Sequence, residues 1–257
     1  MQAENDVEYL KIISFLIGII DPECFLKQWP TEENLYTEIN KSSYWFRILP
    51  RIIMEKVQYI SQGSTREEQE RNIRKALDHG IKWLQVRWKN APEKELMQLC
   101  EISRELCLAY ETVCIINDHV QIAKDIDADG VHLGLQDTSV ETARYILGEH
   151  KIIGGTANTF SDVLQRINES CDYIGLGPLR FTSTKEQLSP VLGFRGYQKI
   201  IEELKSGSIH IPNIFAIGGV VLDDVELLQQ IGIYGVAVSG QITYQPSVIK
   251  KFKTALQ

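Results

Sequence analysis

Basic residues, paired cysteines and long apolar runs are all scarce in this chain. Lysine and arginine number 27 against 34 acidic residues, for a formal net charge of −7. A chain of that sign gains little from nucleic acid, where neutralising phosphates supplies much of the affinity. Nucleic acid is therefore not an expected partner, although a local basic pocket for a small phosphate remains compatible with the charge. The cysteines, Cys24, Cys100, Cys107, Cys114 and Cys171, form no CxxC pair and lie at no short spacing to histidine suited to zinc. An odd set without a framework fits a reducing, cytoplasmic setting. Cys100 and Cys107 fall on one expected helix and read as packing groups. The apolar stretch from Ile12 to Ile20 is far shorter than the roughly 20 residues a spanning helix needs. It follows the acidic Glu4, Asp6 and Glu8, not the basic start of a signal peptide. It reads as a buried helix face, with neither export nor membrane contact expected. No GxGxxG follows the first expected strand, which weakens the case for an open dinucleotide-binding sheet.

What is present is rhythm. The chain has 257 residues, enough for one α/β barrel or two small domains. From about Lys56 onward, eight short apolar runs recur, beginning at Val57, Trp83, Val113, Gly130, Ile152, Tyr173, Ile214 and Gly235. Amphipathic stretches separate them. Glu93 to Tyr110 is one, with Leu96, Leu99, Cys100, Ile102, Leu106 and Cys107 at helical spacing. Others span Thr65 to Asp78, Val120 to Asp127, Ser139 to Leu147, Thr159 to Glu169, Gly196 to Lys205, Asp223 to Gln230 and Pro246 to Leu256. Alternating strands and helices imply parallel strands with crossover helices, and this number of units suits a closed (β/α)8 TIM barrel over residues 54–257. Residues 1–53 lack the rhythm and are rich in aromatics. They are expected to form a helical N-terminal extension of unknown role, an oligomer contact, or a segment added by start-codon choice, since Met54 directly precedes the first strand.

In such barrels the chemistry sits at the C-terminal ends of the strands. After the second run, alternation places Gln85, Arg87 and Lys89 on one side, and two cations converging there suit a phosphate. Asn117 and Asp118 end the third run, and Asp137 follows the fourth. Two carboxylates at neighbouring strand ends are what Mg²⁺ uses beside substrate phosphates, though each also suits a helix cap or turn. His132, inside an apolar run, reads as a structural residue. A long segment after the sixth run holds Thr182, Ser183, Thr184 and Lys185, a set able to wrap an oxyanion. Gly218 and Gly219, and then Val238, Ser239 and Gly240, end the last two runs, where backbone N–H groups can approach a phosphate. Two anion sites, and hence two phosphorylated small molecules, are the simplest expectation.

The same pieces, in the same order, resemble the thiamine phosphate synthase family from about Lys56 to the C-terminus. They are Gln85 to Lys89, Ile116 to Asp118, Asp129 to Gly134 with Asp137, Ile153 to Thr156, Gly175 to Pro178 with Thr182 to Lys185, Ala216 to Gly219, and Gly235 to Val238. The resemblance implies a transferase that displaces pyrophosphate from hydroxymethylpyrimidine diphosphate with the nitrogen of a thiazole phosphate. It implies Mg²⁺ on Asp118 and Asp137, and a pyrophosphate grip by Arg87, Lys89, Asn117 and Lys185. Gln85 and Thr156 would border the pyrimidine. Thr182, Ser183, Thr184, Gly218, Gly219 and the turn Val238 to Gly240 would hold the thiazole phosphate. Four positions depart from the family pattern: His119 stands for arginine, Leu135 for glutamine, and Thr156 and Gly240 for serines. The alternatives are a thiazole tautomerase, which needs no pyrophosphate grip, and a non-catalytic barrel that binds thiamine precursors. Keeping Arg87, Lys89, Asp118, Asp137 and Lys185 together argues against the tautomerase. The sequence leaves a homo-oligomer open.

Overall fold

A computed structural model describes residues 54–181, 190–207, 209 and 211–257. The N-terminal extension expected over residues 1–53, and Thr182, Ser183, Thr184 and Lys185, lie outside the described residues.

The strands are β1 (Val57–Ile60), β2 (Trp83–Val86), β3 (Val113–Asn117), β4 (Gly130–Leu133), β5 (Ile152–Ala157), β6 (Tyr173–Leu176), β7 (Asn213–Ile217) and β8 (Gly235–Val238). Each pairs in parallel with the next, and β1 pairs with β8 through Val57 beside Val236, closing the barrel. Helices fill the crossovers: α1 (Arg66–Asp78), α2 (Glu93–Ala109), α3 (Val120–Asp125), α4 (Val140–Leu147), α5 (Phe160–Asn168), α6 (Gly193–Ser206) and α7 (Val225–Ile231), the last preceded by a 3₁₀ turn at Leu222–Asp224. After β8 come a short α8 (Gly240–Tyr244) and α9 (Val248–Ala255). The (β/α)8 architecture expected from the rhythm is thus the architecture observed.

Local chemistry explains where helices begin. Thr65, Ser139 and Thr159 sit in extended conformation just ahead of α1, α4 and α5, and each hydroxyl accepts the backbone N–H three residues on. At α5 the Asp162 carboxylate reciprocates by accepting from Thr159 N–H, completing a capping box.

The strand period of two divides the residues between two cores. Outward positions such as Leu84, Cys114, Ile116, Val131, Ile153 and Ile174 pack beneath the helices, and the helix cysteines Cys100 and Cys107 are fully buried there. Inward positions at the N-terminal end of the barrel form a separate apolar plug of Met54, Trp83, Ile115, Ile152, Tyr173 and Phe215. Trp83 meets Tyr173 and Phe215 edge-on, both with ring centroids 4.9 Å away. One layer higher, the inward residues turn polar: Gln58, Gln85, Asn117, His132 and Thr156 are all buried. Among the described residues an apolar floor thus underlies a polar layer at the C-terminal end of the barrel.

Candidate active site

A cavity of about 560 Å³ opens at the C-terminal end of the barrel, within the range of small-molecule sites. It gathers Gln85, Arg87, Lys89, Asn117, Asp118, Asp137, Thr156, Gly218, Gly219, Val238, Ser239 and Gly240. Every candidate site residue among the described residues therefore lies on one cavity wall or another.

The cationic wall is built on β2. Gln85 donates through Nε2 to Asn117 Oδ1 at 2.8 Å, tying the ends of β2 and β3. The Arg87 backbone is fixed by its N–H to Ser61 Oγ at 2.9 Å and by its carbonyl to Gln69 Nε2 at 3.1 Å. Burial lowers the Arg87 guanidinium below its ordinary range, against the pull of Asp118, so an anion that pairs with it relieves a desolvated charge. Lys89 Nζ pairs with Asp118 Oδ2 at 2.9 Å.

The acidic pair adjoins it. Asp118 holds a left-handed backbone conformation, φ 64°, and the N-cap position of α3 belongs to His119, which makes no side-chain cap hydrogen bond. The capping explanation for Asp118 is therefore not what the structure shows. Such a φ is uncommon outside glycine and is tolerated best by Asn and Asp. Asp137 Oδ2 accepts Gly134 N–H at 2.6 Å. A Cβ at Gly134 would stand 2.7 Å from that same oxygen, so glycine there leaves room for the carboxylate. Burial and a hydrogen bond shared with Asp137 raise the Asp118 carboxyl above its usual range, in spite of Lys89. Burial works against Asp137 too, but the bond from Asp118, the Gly134 N–H and Lys89 together hold it below that range. Of the two carboxyls, Asp118 is thus the one that holds a proton more readily.

On the opposite wall, Gly218 and Gly219 follow β7 with φ 82° and 73°. A Cβ at Gly218 would lie 2.5 Å from Pro178 Cβ, so both the conformation and the space demand glycine. The backbone of the segment after β6 runs alongside: Leu179 N–H donates to Ile217 O at 2.8 Å and Arg180 N–H to Gly218 O at 2.9 Å. Ser239 Oγ reaches Gln62 Oε1 at 3.2 Å across the β8–β1 seam.

Several cavity residues carried no expectation. Gln58 and Gln62 come from β1 and the turn beyond it, Asn158 from the end of β5, and Phe181, Val221 and Tyr244 from the rim. Gln58 had a legible signal, a lone amide in an apolar run. His132 was read as structural. It is buried, lines the cavity, and has both ring nitrogens in hydrogen bonds, to Tyr173 and Thr156. His119 and Leu135, two of the departures from the family pattern, are not among the residues that line the cavity.

Comparison with known proteins agrees with this geometry. The family model described as thiamine monophosphate synthase matches residues 57–242. The chain is 56% identical over 188 residues to the thiamine-phosphate synthase of Flavobacterium psychrophilum, covering 73% of this chain and 91% of that protein. It is 41% identical over 203 residues to that of Bacteroides fragilis, covering 79% and 99%. Among solved structures, thiamine phosphate pyrophosphorylase from Pyrococcus furiosus superposes with a TM-score of 0.64 at 30% identity, over 78% of this chain and 93% of that one. The chain belongs to the thiamine monophosphate synthase family.

Proposed function

We propose that this chain is a thiamine phosphate synthase. It joins hydroxymethylpyrimidine diphosphate to a thiazole phosphate and releases pyrophosphate. One observation supports this most: two walls of different chemistry, each suited to an anion, face one cavity. The first has the Arg87 and Lys89 cations beside paired carboxylates, and the second is a glycine turn with a hydroxyl. A reaction that joins two phosphorylated molecules needs both.

In the proposed reaction the bond from the pyrimidine methylene carbon to the pyrophosphate oxygen breaks. The lone pair of the thiazole nitrogen forms the new carbon–nitrogen bond. That nitrogen carries no proton, so no general base is required. Charge collects on the departing pyrophosphate, and catalysis rests on stabilising it there. Arg87 and Lys89 supply fixed positive charge, joined in the proposal by Asn117 and by Lys185. Gln85 and Thr156 border the pyrimidine. Gly218, Gly219, Val238, Ser239 and Gly240, with Thr182, Ser183 and Thr184, hold the thiazole phosphate.

Asp118 and Asp137 suit Mg²⁺. They are hard oxygen donors that lie close enough to share a hydrogen bond, and burial with that bond raises Asp118 while Asp137 is held low. Among the described residues no cluster of three or more metal-ligating side chains exists. In the proposal the ion is held by the two carboxylates, with the diphosphate and water completing its shell. Bound there, Mg²⁺ would add positive charge at the leaving group. Cys100, Cys107, Cys114 and Cys171 are buried free thiols, which suits work in the reducing cytoplasm.

The test is complementation. A bacterial strain lacking its own thiamine phosphate synthase should grow without added thiamine when it expresses this chain. No growth despite folded protein would contradict the proposal and favour a barrel that only binds precursors.

A further inference from the structure

Along the floor of the cavity runs a buried chain of hydrogen bonds that joins four strands. Gln58 Nε2 on β1 donates to Tyr173 Oη on β6 at 3.3 Å. Tyr173 Oη meets His132 Nδ1 on β4 at 3.0 Å. His132 Nε2 meets Thr156 Oγ1 on β5 at 2.9 Å. All four are buried; Tyr173 is sealed from the cavity, whereas Gln58, His132 and Thr156 each reach its floor.

The chemistry of the groups gives this chain a direction. An amide nitrogen can only donate. Tyr173 oxygen accepts from it, and the single phenolic proton is then available for His132 Nδ1. An imidazole that accepts at Nδ1 carries its proton on Nε2. That proton goes to Thr156 Oγ1. In this arrangement Thr156 oxygen accepts from His132, which leaves its own hydrogen available to a ligand in the cavity.

The barrel interior is shaped around this chain. A Cβ on Gly154 would lie 2.1 Å from Tyr173 Cζ, and one on Gly175 would lie 3.1 Å from His132 Cε1. Two strands give up side chains so that the phenol and the imidazole can lie across the barrel. A buried polar group needs partners, but satisfying one does not require a directed chain that ends at the cavity.

We propose that Gln58, Tyr173 and His132 are positioning residues that fix the Thr156 hydroxyl as a hydrogen-bond donor to a ring nitrogen of the pyrimidine substrate. The proposal rests on the synthase reading above and adds to it a device for recognising a heterocycle that accepts at that point. Tyr173 does not itself line the cavity, so it can act on substrate only through His132 and Thr156.

The test is a double-mutant cycle read on each substrate separately. Thr156→Val and Tyr173→Phe should each lower kcat/KM for the pyrimidine diphosphate by about tenfold, as expected for loss of one well-placed hydrogen bond. The KM for the thiazole phosphate should stay within about twofold of the parent. The double variant should be no worse than Thr156→Val alone, because both remove the same donation. Thr156→Ser should restore activity. Should Tyr173→Phe not fold, Gln58→Leu interrupts the chain one link earlier and is read against Thr156→Val in the same way. Multiplying losses in the double variant, equal KM rises for both substrates, or parent kinetics in Thr156→Val would overturn the relay. If the unsubstituted protein makes no thiamine phosphate, the synthase reading falls and the relay with it; turnover with additive losses sinks the relay alone.

Discussion

Arg180 and Asp224 form a two-pronged ion pair that staples the segment after β6 to the turn after β7. Arg180 also donates to Gly219 O at 3.0 Å, and its guanidinium lies 5.6 Å from the centre of the Phe194 ring. Asp224 Oδ2 additionally accepts Val221 N–H at 2.8 Å. Asp224 is only 4% exposed while Arg180 is 43% exposed. The partner left behind by a substitution therefore differs: loss of Arg180 strands a buried carboxylate, and loss of Asp224 leaves a cation that water can reach.

The first prediction follows from that asymmetry. Arg180→Met should cost more than Asp224→Asn. Discounting the exposed half of the pair, the cost of Arg180→Met should be about 1–3 kcal/mol. Because the pair holds the Gly218–Gly219 turn, the KM for the thiazole phosphate should rise about tenfold or more, with little change for the pyrimidine diphosphate. Steady-state kinetics with each substrate varied in turn would show it. A parallel rise in both constants would mean the staple supports the barrel generally.

Two glycines with nearly equal φ make a controlled comparison. Gly80 and Gly218 have φ 84° and 82°. A Cβ at Gly80 would meet nothing within 4 Å, whereas at Gly218 it would collide with Pro178. Gly80→Ala should cost only the conformational penalty, about 1 kcal/mol, and leave kinetics unchanged. Gly218→Ala should cost more in thermal stability and should also weaken thiazole phosphate binding. Equal effects would show that backbone conformation alone governs both positions.

Most of this architecture was legible in the sequence because it depends on local periodicity. The eight apolar runs became the eight strands, and Gln85, Arg87 and Lys89 face one cavity because strands alternate. Features set by contacts distant in the chain were not legible. Arg180 and Asp224 lie 44 positions apart, and Gln58 lies 115 from Tyr173. Tyr173 looked like any apolar strand residue, since its hydroxyl matters only once Gly154 lets the ring cross the barrel. Helix α8 was not anticipated, because five residues are too few to show a helical period. Helix α6 begins at Gly193, ahead of the expected Gly196.

Capping gives a test of the fold apart from the site. Thr159→Ala removes one half of the α5 capping box and should cost about 1 kcal/mol. The melting temperature should fall by about 2–4 °C, with turnover at moderate temperature unchanged. A thermal melt reads it, and an unchanged melting temperature would mean that tertiary packing alone fixes the start of α5.

The acidic pair predicts a pH dependence. Asp118 is raised in the folded protein, so without metal the fold holds a proton that the unfolded chain releases earlier. Metal-free stability should therefore fall as pH rises through the Asp118 value, above the ordinary carboxylate range. On the proposed assignment, Mg²⁺ at Asp118 competes with that proton, so its affinity should rise over the same interval and its binding should release protons. Calorimetric titrations at weakly acidic and neutral pH would show both effects. Asp118→Asn should abolish the pH dependence and the metal response together. A Mg²⁺ affinity independent of pH would place the ion elsewhere.

The most direct measurement is pyrophosphate release by the purified chain with Mg²⁺, hydroxymethylpyrimidine diphosphate and the thiazole phosphate, each omitted in turn. Release that requires both substrates, with thiamine phosphate formed in equal amount, is the predicted result. Folded protein that binds either substrate and releases no pyrophosphate would contradict the account.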